Sequence, residues 1–185
     1  IFEQWSSITD NVYFWGYDTI FADYFNVHNT FGTIRENLKV AKDNNAVAAM
    51  LQGQHDQRAL TCFNNFKVYL AAKYEWNLDE DYNELFNNFF DNYFKDASET
   101  MKELFNSLTT HCAWFADEYS VYGQGGIITI TERNFPKGAI SNWMELIDRA
   151  FRDIESMRIS DPEAYETVYN RINLESLAYR YMLIE

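Results

Sequence analysis

Only two prolines and seven glycines interrupt 185 residues. Both residues break helices, so their scarcity favours long helical runs. Fifteen Lys and Arg face 28 Asp and Glu, a formal net charge of −13, and no basic run stands out. Nucleic-acid binding needs a cationic footprint to displace counterions from phosphate, so the charge argues against that partner. It argues equally against an anionic membrane surface, and no apolar stretch reaches the length of a membrane span. The two cysteines, Cys62 and Cys112, lie far apart without CxxC or Cys/His ligand spacing. They read as small core residues rather than metal ligands, and no metal or cofactor is expected. Neither a nucleophile elbow nor a Gly-rich phosphate loop occurs. The chain opens at Ile1 with no Met and no signal peptide, the pattern of a processed chain, an engineered one or a fragment.

What the sequence has in abundance is aromatic residues: 15 Phe, 13 Tyr and 5 Trp, 18% of the chain. Such rings fill cores, but Tyr and Trp also offer flat faces with a polar handle, suited to stacking on sugars. The length suits one domain, with room for a small second one.

Residues 11–17 (NVYFWGY) are aromatic and β-branched and predict a short strand. Thr33, with Glu36 three positions on, predicts a capped helix from Ile34 to about Lys42. Ala46–Leu51 reads as a buried strand or a short apolar connector, whose small residues suit a crowded interior with helices pressing on both faces. A helical period resumes from about Asp56 to Tyr74, with Leu60, Phe63, Phe66, Lys67, Leu70 and Tyr74 on one face. Strand, helix, strand, helix is the pattern of a right-handed unit with two parallel strands. Beyond it the chain is mostly helical. An acidic step at Asp79-Glu80-Asp81 leads into an aromatic helix through Tyr93, and a second helix carries Met101 to Tyr119. After a break over 123–138, where Ile127–Ile130 suits a short strand or an extended loop, two helices are expected at about 139–157 and 162–183. Asp161-Pro162 is the start signal of the last. The predicted class is mainly α with a small parallel β part. Two parallel strands are too few to stand alone.

Both predicted strands end in polar groups: Tyr17-Asp18, and Gln52-Gly53-Gln54-His55-Asp56. In parallel β/α folds the carboxyl edge of the sheet carries function. Pairing the strands gathers Trp15, Tyr17, Asp18, Gln52, Gln54, His55 and Asp56 on one rim. Rings beside amides and carboxylates suit a carbohydrate, whose sugar units offer apolar faces and many hydroxyls. The bland alternative makes Asp56 a helix cap and Gly53 a turn residue. His28 is a weak further candidate for the rim, and His111 lies mid-helix. Glycoside hydrolysis usually needs two flanking carboxyl groups, and only Asp18 and Asp56 are placed for it.

Four stretches carry a resemblance: 12–25 (VYFWGYDTIFADYF), 46–54 (AVAAMLQGQ), 66–94 (FKVYLAAKYEWNLDEDYNELFNNFFDNYF) and 169–185 (YNRINLESLAYRYMLIE). Together they resemble domain-of-unknown-function family 4838, found in bacterial carbohydrate-associated proteins with an alpha-glucuronidase-like, glycoside-hydrolase architecture. The resemblance implies that residues 1–75 form the last two β/α units of a TIM-like barrel and residues 76–185 a C-terminal helical bundle. It implies a secreted or periplasmic parent acting on glycans, with the upstream barrel segment as this chain's partner. Two departures bear on activity. The family pattern of Trp-Asp-Tyr at the first strand end is here Trp15-Gly16-Tyr17. Its Phe-Glu-Gln-Gly at the second is here Met50-Leu51-Gln52-Gly53. Each removes an acid, so the expectation is a glycan-binding rim with an incomplete catalytic set and an inactive isolated chain. The alternative is a non-enzymatic helical interaction or structural module, which could oligomerise through an exposed strand edge.

Overall fold

The computed structural model describes residues 1–21, 23–54, 62–119 and 128–184. The chain is mainly helical with a small two-stranded parallel sheet. A short helix α1 (Phe2–Ser6), not foreseen from the sequence, precedes strand β1 (Val12–Tyr17). Helix α2 (Ile34–Asp43) then leads to strand β2 (Ala46–Gln52). Tyr13 pairs with Ala48, Trp15 with Met50, Gly16 with Leu51 and Tyr17 with Gln52. Helices α3 (Asn64–Trp76), α4 (Tyr82–Phe94), α5 (Ser98–Tyr119), α6 (Lys137–Asp153), α7 (Met157–Ser160) and α8 (Pro162–Met182) follow, with a 3-10 turn over Lys95–Ala97.

Several local signals act as expected. The Asp161 carboxylate accepts from the Ala164 amide at 3.1 Å, with Pro162 at the first helical position. Asp81 caps α4 by accepting from the Glu84 amide at 3.0 Å. Asn45, with φ of 56°, ends α2 in the left-handed region that asparagine tolerates. Other expectations are corrected. Thr33 occupies the cap position of α2, but its hydroxyl donates to the Thr30 carbonyl instead of accepting from the helix. The helix expected from Asp56 begins at Asn64 among the described residues and runs two residues past Tyr74. The helix expected at 139–157 ends at Asp153, and a separate turn of helix starts at Met157. Residues 128–130 adopt no regular strand, and Ile127 lies outside the described residues.

The largest correction concerns β2. Its small residues suggested burial, yet Val47, Ala48, Ala49 and Met50 are all exposed. Alanines permit close packing but do not compel it, and here α2 packs near both strands without burying β2. Strand β1 alternates cleanly: Val12, Phe14 and Gly16 point toward the protein, while Tyr13, Trp15 and Tyr17 face solvent.

One hydrophobic core extends from Val27 to Met182 and so crosses the expected division at residue 75. Its centre is aromatic. Phe66 of α3 is fully buried and meets the rings of Phe31, Phe89, Phe90 and Phe105 at centroid distances of 5.9, 5.0, 5.5 and 5.6 Å. These offset and edge-on arrangements suit the ring quadrupoles. Cys62 and Cys112 are buried thiols in this core, as expected. Burial pushes the Cys112 thiol up to about 12, which keeps it protonated and inert.

A buried acid joins the two ends of the fold. Glu175 of α8 is 2% exposed, and its carboxyl oxygen accepts from the Phe63 amide at 2.9 Å, just before α3. Burial raises its pKa to about 8, partly offset by the Phe63 and Cys62 amides. In the unfolded chain this group titrates near 4.5. Between the two values the folded protein holds a proton that the unfolded chain has lost, so stability falls as pH rises through that window.

Two outcomes follow. Phe66→Ala should destabilise the protein by about 3–5 kcal/mol in chemical denaturation, because six-membered-ring volume is lost from a packed aromatic centre. Glu175→Gln should flatten the pH dependence between about pH 4.5 and 8, read as the wild-type-minus-variant difference in unfolding free energy, with the variant gaining as pH rises.

Candidate functional site

The carboxyl edge of the sheet is set by the parallel register. Tyr17 and Gln52 lie opposite one another, and the Asp18 amide donates to the Gln52 carbonyl at 3.0 Å, carrying the pairing one step past β1. On the outer face, the Trp15 indole N–H donates to the Gln52 side-chain carbonyl at 3.0 Å. Trp15 and Tyr17 lie 6.3 Å apart between ring centroids, and Tyr17 meets Phe21 edge-on at 5.7 Å. All three rings are open to solvent: Trp15 58%, Tyr17 40% and Phe21 47% exposed. An indole fixed by an amide, with Tyr17 beside it and Phe21 edge-on to Tyr17, forms an exposed apolar surface with polar atoms at its margin.

Asp18 takes the opposite direction. It is 7% exposed and belongs to a buried polar group beneath the edge, not to the aromatic face. The Lys67 ammonium, on α3, donates to the Asp18 carbonyl at 2.8 Å and to the His28 carbonyl, and sits 4.9 Å from the Phe31 ring centroid. Burial pushes the Lys67 pKa down to about 8, against the opposing pull of the Asp18 carboxylate. Burial raises the Asp18 pKa, and the Lys67 charge counters it. Burial, then the Lys67 cation, holds His28 down at about 4, so its imidazole is neutral near pH 7. His28 is thus part of the support beneath the rim. His111, as its mid-helix position suggested, is packed: it contacts the Asn134 carbonyl at 2.7 Å and the Phe135 and Trp143 rings.

Gln54 reaches sideways, its amide donating to the Tyr24 carbonyl at 3.2 Å. The structure therefore brings Trp15, Tyr17 and Gln52 together on one face. It sets Asp18 below them and Gln54 to the side. His55 and Asp56 lie outside the described residues. Among the described residues, two buried polar atoms near this end, Gln54 Oε1 and Asn64 Nδ2, find no hydrogen-bond partner. Buried polar groups are nearly always paired, so these two atoms leave hydrogen-bonding capacity at this end.

Two contributors escaped sequence reasoning. Lys67 stands on the apolar face of its helix, the one signal that could have singled it out. Phe21 lies past the strand end, where no period reports exposure. Gly16 explains a close approach: a Cβ there would lie 2.9 Å from Leu51 Cδ2 and 2.9 Å from the Phe14 ring. Among the described residues, no three metal-ligating side chains gather, and no helix is long and apolar enough to cross a membrane.

No curated protein and no solved structure matches the chain. A family model does match, over residues 1–106, which takes in both strands, the aromatic face, Lys67 and the first helices of the remainder. On that match, covering more than half of its length, the chain belongs to the family described as Domain of unknown function (DUF4838).

Proposed function

We propose that this chain is the C-terminal portion of a glycoside-hydrolase-like, carbohydrate-active protein, and that its carboxyl-edge rim binds glycan without a complete catalytic set. The observation that carries the reading is the solvent-facing row Trp15–Tyr17–Phe21 with Gln52 fixed beside it. Flat rings take the apolar faces of sugar units, and the amide margin takes hydroxyls. Gln54 Oε1 and Asn64 Nδ2, which have no partner among the described residues, add hydrogen-bonding capacity near the same end. Catalysis is argued against by chemistry: Asp18 is buried beside a lysine, and a hydrolase needs two carboxyl groups flanking the scissile bond.

In this reading the sheet is the last two strands of a TIM-like barrel, residues 1–75, and residues 76–185 form the helical region behind it. A parallel pair with an exposed aromatic face and two open edges suits completion by further strands. The parent protein is secreted or periplasmic. A second reading, a non-enzymatic structural module, is favoured by the large share of rings buried around Phe66. The exposure of Trp15 and Tyr17 weighs against it.

Calorimetric titration with uronic-acid-containing and neutral oligosaccharides tests the proposal. Wild type should bind at least one member, and Trp15→Ala should weaken that binding about tenfold, the loss of one stacked ring. Absence of any heat with every member for wild type rejects the glycan reading and leaves the module.

A further inference from the structure

Cys62 and Phe63 both adopt the left-handed conformation, with φ of 55° and 56°. Two consecutive residues there, neither of them glycine and one a buried phenylalanine, carry backbone strain that the surroundings must hold in place. The pair opens α3 with no side-chain cap of its own. What holds it comes from far along the chain. Glu175 accepts from the Phe63 amide at 2.9 Å, and the Cys62 thiol contacts the Phe25 carbonyl at 3.3 Å. Glu175 and Phe63 are both buried, 2% and 1% exposed, so water does not compete for that bond.

The turn fixes where α3 begins, and so where its first residues fall. Asn64, the first residue of α3, lies against the end of β2: its Oδ1 would stand 3.8 Å from a Cβ on Gly53. Lys67, one turn on, grips the Asp18 and His28 carbonyls. Asp18 in turn pairs with Gln52, which holds the Trp15 indole. The links from Glu175 to Phe63, from Lys67 to Asp18 and His28, and from Asp18 through Gln52 to Trp15 are hydrogen bonds between described residues.

We infer that Glu175 is a positioning residue for the carboxyl-edge rim: from α8 it holds the left-handed turn at Cys62-Phe63 and, through Asn64 and Lys67 of α3, the end of β1 that presents Trp15 and Tyr17. This gives the C-terminal helix a task beyond closing the core, and Glu175 lies outside the part of the chain that the family model matches. The inference does not depend on what the rim binds.

The test is therefore ligand-free. In the 185-residue chain, Glu175→Leu keeps the volume and removes the acceptor, whereas Glu175→Gln keeps an acceptor. Well below the melting temperature of both, E175L should shift the Trp15 indole resonance and speed amide exchange at Asp18 about tenfold, a local loosening that need not be global. E175Q should restore both readings to wild type. An E175L protein that melts earlier yet keeps the Trp15 resonance and Asp18 protection overturns the inference. Where E175L does not fold, wild type decides by native-state exchange: Phe63 and Asp18 amides should open together, with one free energy and one denaturant dependence. Opening of Asp18 independently of Phe63 overturns it. A protein that passes these tests and still binds no oligosaccharide retains the positioning role and loses only the glycan reading.

Discussion

One desolvated ammonium group, that of Lys67, ties the sheet to the helical body. Removing a cation from water costs several kcal/mol even after relaxation. Here two backbone carbonyls, the Asp18 carboxylate and the Phe31 ring stand in for the lost hydration. The carbonyls belong to Asp18, just past β1, and to His28, in the loop beyond. Both segments are thereby drawn onto α3. The Asp18 side chain turns inward with them, and the alternation of the strand then sends Tyr17 and Trp15 outward. The exposed aromatic face and the buried acid are two consequences of one anchored strand end.

Much of this was legible locally. The period and the turn residues located both strands, their parallel pairing and most helices, because those signals are carried by neighbours in the chain. The start of α8 and the acidic start of α4 were legible for the same reason: a cap acts within one turn. The exposure of β2 was not, since alanines fit a crowded interior and an open edge equally well. Thr33 misled because its hydroxyl had a competing acceptor three residues back.

The site was legible in part. Trp15, Tyr17 and Gln52 follow from strand parity and register, and they do share a face. Asp18 follows the same parity count in reverse, inward, where Lys67 receives it. Lys67 itself acts across 49 residues to Asp18, and Glu175 across 112 to Phe63. No window of sequence reports bonds of that span. The left-handed pair at Cys62-Phe63 is similarly silent, since neither residue type favours that conformation.

The two departures from the pattern that the resemblance implies, at positions 16 and 51, turn out to be neighbours: Gly16 and Leu51 are register partners. The Leu51 side chain occupies the space that a Cβ on Gly16 would need, and it packs toward the core. The two positions therefore share one packing contact. With glycine at 16, leucine can lie across the strand pair. With leucine at 51, no larger residue fits at 16 unless the leucine moves. A carboxylate at 51 would enter a contact packed against the core, where burial disfavours its charged form. A side chain at 16 needs the tips of both Leu51 and Phe14 to shift. The outward face of Trp15 and Tyr17, on the opposite parity of β1, is untouched by a change at either position, so the aromatic surface and the Gly16–Leu51 contact vary independently.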